Sequence, residues 1–391
     1  MDTYVCDEYH NVKNSCKGGI IKRKTYLDNI RWITVFIVFV FHVIYMFNGI
    51  VTSGVLGPFS EVQYQDIFQY IVYPWFMLLL FVVSGMSARY SLEKRTAKEF
   101  IAMATRKYLV PATLGTLVFW WILGYYNMQI AGGYEQTIGK VPGVVFFLIM
   151  AVSGTGVLWY IQMLWVFSLL LIVVRKVEKD KLYNLTAKAG LPLLLAFMPV
   201  IWGAAQIFNT PMIVVYRFGI YGAGYFIGYF VFSHDQIMER LEKFWLPLTI
   251  ATIVCCFINL FSNYGKVFAD HEVLDTFSCN LYAWIAVLGI LSFMKKWGDF
   301  SNSFSSWMSS KSWGLYLFHY LGIAVPAYYI RRAGLGIPPV FVYLICAFSG
   351  FFGAILLYEI ISRIPILRWF VLGMKGEKKD VRRESYRATK A

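Results

Sequence analysis

Ten apolar runs of about 20 residues follow one another along this chain, at 30–50, 69–90, 108–128, 157–175, 189–207, 212–233, 245–262, 277–294, 313–330 and 338–361. A run of that length crosses the hydrocarbon core of a bilayer as one α-helix. The apolar residues come in continuous blocks and not in amphipathic stripes, and charged residues make up only 15% of the chain. A soluble domain carries about 25%. The expected fold is therefore all-α: a polytopic integral membrane bundle of about ten transmembrane helices.

The formal charge of +14 raises nucleic acid as a partner. Its distribution excludes that reading, because the basic residues fall in alternate loops. One set runs through Lys13 to Lys24, Arg89 to Lys107, Arg175 to Lys188, Arg240 and Lys243, Lys295 to Lys311, and the tail from Arg363; the opposite loops hold Lys140, Lys266, Arg331 and Arg332. Lys and Arg gather on the cytoplasmic side of a membrane protein, so both termini are expected in the cytoplasm, in agreement with an even number of spans. The domain division that follows is a cytoplasmic tail over 1–29, a membrane domain over 30–361 and a basic cytoplasmic tail over 362–391, the last drawn to anionic membrane lipid. Lys22-Arg23-Lys24 abut a full-length span with no small-residue cleavage site after it, which predicts a retained anchor.

Residues 141–153 are apolar but too short to span, and are expected as a re-entrant or interfacial piece. No C-x-x-C occurs and four of the six cysteines lie in apolar segments, so no disulfide framework is expected. Cys6, His10 and Cys16 lack a fourth ligand, and no metal is expected. Gly219, Gly222, Gly224 and Gly228 thin one face of the sixth span, which suits close helix packing at least as well as a substrate path.

Ionisable residues inside a span are costly and mark candidate sites. Arg31 and His42 lie eleven residues apart in the first span, close to three turns, so their side chains leave nearly the same face about 16 Å apart. His42 is open to two readings, a general base at mid-depth or a structural imidazole bonded to a nearby carbonyl. Arg31 is either an anion site or a snorkelling cation locked by Asp28, three residues earlier. Arg217, about six residues inside the sixth span, is read as a fixed cation for an oxyanion or acidic acceptor, or as one snorkelling to headgroups. His319 in the ninth span is either an aid to the base or a satisfied core histidine. Glu359 is expected to pair with a basic residue, and Ser84 is the single serine weighed as a nucleophile, with packing the alternative.

Six segments in order resemble the acyltransferase 3 family of integral membrane proteins: Tyr26-Leu27-Asp28 with Arg31 and His42; Ser84-Gly85-Met86; Arg106-Lys107-Tyr108-Leu109-Val110-Pro111; Leu158-Trp159-Tyr160; Trp313-Gly314-Leu315-Tyr316-Leu317-Phe318-His319; and Tyr358-Glu359 through Pro365. The last is similar to the glucan-modifying branch, in its stand-alone form. The resemblance implies transfer of an acyl group, acetyl or succinyl, from cytoplasmic acyl-CoA to a hydroxyl of an extracytoplasmic or lipid-linked glycan in a bacterial plasma membrane. It assigns essential roles to Arg31 and His42. On that footing His42 takes the acceptor proton, while Arg31 and the Arg106–Lys107 region receive the donor, with acetyl-CoA as the expected co-substrate. The family often has two arginines three apart before the third span, and here the upstream position is Met103. A carrier for a small polar or anionic solute is the alternative from composition, and a scaffold for an envelope assembly is the third. Nothing in the sequence fixes the oligomeric state.

Overall fold

A computed structural model describes residues 24–51, 54–210 and 215–375. The Cys6, His10 and Cys16 trio, the basic residues before Lys24 and the tail from 376 lie outside these. Among the described residues there are helices and no strands. The principal helices are α1 (Thr25–Tyr45), α2 (Tyr64–Leu92), α3 (Ala97–Ile130), α4 (Gly143–Ser153), α5 (Gly156–Glu178), α6 (Leu191–Ala205), α7 (Phe218–Phe232), α8 (Asp235–Glu242), α9 (Trp245–Asn263), α10 (Phe277–Trp297), α11 (Ser303–Arg332), α12 (Pro339–Arg363) and α13 (Pro365–Leu372).

Seven of these, α1, α2, α3, α5, α9, α10 and α12, are long and apolar enough to cross a membrane. The runs at 189–207 and 212–233 become the shorter α6 and α7. The run at 313–330 lies inside α11, where its Trp313, Tyr316, His319, Tyr320, Tyr328 and Tyr329 lower its hydropathy. Between Lys311 and Arg331 that helix rises about 30 Å, the thickness of a hydrocarbon core. The segment at 141–153 forms α4, 11 residues long and too short to span, laid against the second half of α3.

Several helices outrun the runs expected for them, as α3 does from Ala97 and α11 from Ser303, and three boundaries differ in ways that move a residue or segment. The first span, expected at 30–50, is a helix over Thr25–Tyr45. It stops there because the Asn48 carboxamide accepts from the backbone of Ile50 at 2.9 Å and Val51 at 2.6 Å, a turn that competes with helix. The sixth span starts at Phe218 and not at 212, since residues 209 and 217 pair as an antiparallel bridge and reverse the chain. Arg217 therefore caps α7 and does not lie within it. Residues 365–372, expected in a free tail, form α13, with Val371 and Leu372 fully buried and Trp313 Nε1 donating to the Leu372 carbonyl at 3.2 Å.

The Lys- and Arg-rich loops gather at one end of the bundle. Lys24 bonds Tyr90 at 2.8 Å and pairs with Asp235, Arg89 pairs with Asp180 at 2.6 Å, and the Asn29 amide donates to the Gly298 carbonyl at 2.7 Å. We call this the N-terminal end. Lys311 pairs with Glu359, meeting the expectation for that carboxylate.

α2 and α10 form the centre, closed on most sides, whereas α9 and α12 keep most of their surface outward. α2 meets α7 at backbone contact. A Cβ on Gly85 would stand 1.9 Å from the Tyr225 carbonyl oxygen, and one on Gly228 would stand 2.0 Å from that of Val82. Interfaces between membrane helices rest on such small residues. Gly85→Ala should force the two helices apart at a cost of about 2 kcal/mol or more, read as a lower melting temperature in detergent. A melting curve that overlays the native one would refute this account of the α2–α7 contact.

Candidate functional site

α1 carries Arg31, Val35, Val38 and His42 at steps of four, three and four, so the four form one stripe. α2 runs antiparallel to α1, with Ser87 opposite Arg31 and Phe76 opposite Phe41, ring to ring at 5.2 Å. α11 runs parallel to α1, with Phe304 beside Trp32 and Tyr320 beside His42. These two helices close the stripe into an interior.

Two imidazoles meet there. His42 Nδ1 lies 2.8 Å from the Val38 carbonyl oxygen and 3.1 Å from His319 Nε2. His319 Nδ1 lies 2.8 Å from the Leu315 carbonyl oxygen. A carbonyl only accepts, so the network assigns a proton to both Nδ1 atoms. His319 Nε2 then presents a lone pair to the shared Nδ1–H of His42. That leaves His42 Nε2 as a bare lone pair, the site of a base. His319 is fully enclosed, with Phe39 edge-on to its ring at 6.4 Å, while His42 is partly exposed. Phe41, Tyr45 and Tyr320 surround the His42 ring with centroids 5.1 to 6.3 Å away. His42 stands in the last turn of α1, three residues from its end, nearer than the eight expected. Residues 54–66 fold back over that end: Leu56 N donates to the Met46 carbonyl at 2.9 Å and the Gln63 amide to that of Phe47 at 2.8 Å. Measured along α11, His319 is about 12 Å from Lys311 and about 18 Å from Arg331, so the pair lies well inside the span.

Arg31 lies toward the N-terminal end. Its Nη1 is 2.7 Å from Asp28 Oδ1, the lock that the spacing suggested, and its other terminal nitrogen donates to Ser87 Oγ. The side chain keeps 37% of its surface, so it is open to that end. One turn along α2 from Ser87, Ser84 Oγ lies 2.8 Å from the Tyr160 hydroxyl of α5. Tyr316, beside Tyr160, donates to the Val157 carbonyl at 2.5 Å.

The structure thus joins His42 to His319 and Arg31 to Asp28 and Ser87. Arg106 and Lys107 lie at the N-terminal end, where Gly373 packs on their backbone and Lys107 Nζ stands 5.2 Å from the Trp313 ring. Arg217 is at the far end of the bundle. It is buried, donates to the Leu274 carbonyl at 3.0 Å and faces Asp275 at 3.4 Å, clamping the short helix His271–Leu274 to α7. Ser87 and Tyr160 went unweighed as site residues in the sequence. Ser87 follows Ser84 by three, a helical spacing that carried the signal.

A family model described as an acyltransferase domain matches residues 24–359. That range takes in both imidazoles, Arg31 and every helix from α1 to all but the last turn of α12. Comparisons with curated proteins and with solved structures give no match.

The tautomer is directly observable. Nitrogen NMR on histidine-labelled protein should report His42 protonated at Nδ1 and unprotonated at Nε2 near neutral pH. The opposite tautomer would remove the base from this geometry.

Proposed function

This chain belongs to the acyltransferase 3 family of membrane proteins, and from that premise we propose that it moves an acyl group, acetyl or succinyl, from cytoplasmic acyl-CoA to a hydroxyl of an extracytoplasmic or lipid-linked glycan. The setting is the plasma membrane of a bacterium, with the N-terminal end of the bundle facing the cytoplasm. Acetyl-CoA is the leading donor. The observation that carries the reading is the His42–His319 contact at 3.1 Å inside a membrane span.

In this mechanism the acyl-CoA thioester enters at the N-terminal end and its carbonyl carbon comes to rest beside His42. The acceptor hydroxyl arrives from the far side. His42 Nε2 takes the hydroxyl proton as the oxygen attacks, the new C–O bond forms, and the C–S bond breaks. The imidazolium then returns its proton to the departing thiolate, so charge and atoms balance. While His42 is charged, its Nδ1–H points at two acceptors, the Val38 carbonyl and the lone pair of His319 Nε2. His319 is a positioning residue in this scheme, fixed by its own bond to Leu315. Arg31, tethered by Asp28 yet open at the N-terminal end, offers its remaining donor capacity to the donor's phosphates. Arg106 and Lys107 stand at the same end and add positive charge there.

His42→Ala should lower transfer of labelled acetyl from acetyl-CoA in inverted membrane vesicles by about a hundredfold or more. Undiminished transfer by a normally inserted variant would overturn the base assignment. Arg31→Gln should raise the KM for acetyl-CoA and shrink the rise in melting temperature that acetyl-CoA gives the purified protein. A melting temperature that acetyl-CoA leaves unmoved in the native protein would argue against this donor.

A further inference from the structure

We propose that Ser84 and Tyr160 form a hydrogen-bonding station for the pantetheine arm of the donor, between the phosphate end at Arg31 and the reacting thioester at His42. This rests on the acyl-CoA reading and goes beyond it by assigning the part of the donor that lies between its two ends.

Three observations carry it. First, along α2 from Phe76 to Ala88 every residue is buried except Ser84 and Ser87. Ser87 holds Arg31, which is open to the N-terminal end. Ser84 lies three residues away on the same face, and like Ser87 it keeps part of its surface open.

Second, Ser84 Oγ and the Tyr160 hydroxyl are 2.8 Å apart, and Tyr160 is itself more than nine-tenths buried. Its remaining contact is a long one, 3.3 Å to the Leu80 carbonyl. Two hydroxyls bring two donors and several acceptor lone pairs. The pair bond and the bond to Leu80 occupy both donors and leave acceptor lone pairs, which suit the hydroxyl and amide N–H groups of the arm.

Third, the lengths agree. Arg31 and His42 are about 16 Å apart along α1, and Ser84 lies about 5 Å beyond Ser87 on the way to His42. A pantetheine arm carries, in order from its phosphate, a hydroxyl, a first amide, a second amide and the sulfur. With the phosphate at Arg31, the hydroxyl and first amide fall at the level of Ser84 and Tyr160. Beyond them the wall of the stripe is Val35 and Val38, which suits the ethylene links. An arm held at one polar station would present its thioester to His42 at a fixed reach, which selects thioesters on this carrier over shorter ones.

The test uses the full-length protein in detergent or vesicles. Ser84→Ala and Tyr160→Phe remove one hydroxyl each with little change of volume. Each should raise the KM for acetyl-CoA by about fivefold or more, with kcat changed less. In the native protein S-acetylpantetheine should compete with acetyl-CoA, and both variants should weaken that competition by a similar factor. S-acetyl-N-acetylcysteamine, which lacks the hydroxyl and the first amide, should compete equally in native and variant proteins. Failure of S-acetylpantetheine to compete in the native protein would overturn the proposal, as would unchanged KM in both variants. A fall in kcat by orders of magnitude in Ser84→Ala would also overturn it, because that result marks an acyl-serine nucleophile. An equal loss toward all three compounds would mark a packing role and overturn it too. No transfer at all by the native protein would end the acyl-CoA reading, and this inference with it; native transfer alongside an indifferent Ser84→Ala would end this inference alone.

Discussion

Inside a bilayer a hydrogen-bonding group finds no water, so it must be satisfied by the protein. That constraint explains how this bundle handles its polar side chains. Many bond back to the carbonyl one turn earlier on their own helix: Thr34 to Ile30, Ser168 to Leu164, Ser233 to Tyr229, Thr249 to Trp245 and Thr252 to Leu248. Such residues ask nothing of a neighbour. His42 and His319 begin with the same device, each giving its Nδ1 proton to the carbonyl four residues before it. They differ in what remains, since an imidazole has a second nitrogen. In His319 that nitrogen meets His42, and in His42 it is left over. The reactive atom of the site is thus what the satisfaction of the others leaves behind.

The same constraint separates structural from candidate functional polarity. Arg31 with Ser87, Ser84 with Tyr160 and His42 with His319 are side-chain bonds between different helices; the first and last start from one stripe of α1, and Ser84 lies one turn along α2 from Ser87. Arg217 makes its bonds to the Leu274 carbonyl and Asp275, at the C-terminal end of the short helix His271–Leu274. Its charge is matched there, which suits a clamp. Lys311 with Glu359 and Lys24 with Asp235 lie at the N-terminal end and fix helix ends.

Much of the fold was legible in the chain, because a length of 20 apolar residues and the need to satisfy the backbone leave few choices. The glycines of α7 were read as a packing face and are one, as Gly228 on Val82 demonstrates. The Asp28–Arg31 pair followed from helical spacing and is present at 2.7 Å. Boundaries were less legible. Hydropathy continues through Ile50, but the Asn48 carboxamide ends the helix five residues sooner. Hydropathy also suggested a span from 212, but Arg217 pairs with Asn209 in an antiparallel bridge and caps α7 instead of lying within it. Local hydrogen bonding that a window average cannot see decided both.

The sequence by itself determined that this chain is a bundle of membrane helices, that basic charge gathers in alternate loops, and that Arg31 and His42 share a face. Each follows from distances along one helix or from the solvent a segment tolerates. Only the tertiary structure decided that His319, 277 residues from His42, supplies the partner imidazole, that Ser87 joins Asp28 in holding Arg31, and that Ser84 meets the Tyr160 hydroxyl of another helix. Those facts depend on which helices pack side by side and at what rotation. Packing of that kind is set by where backbones approach closely, as at Gly85 and Gly228, and no single helix contains the information.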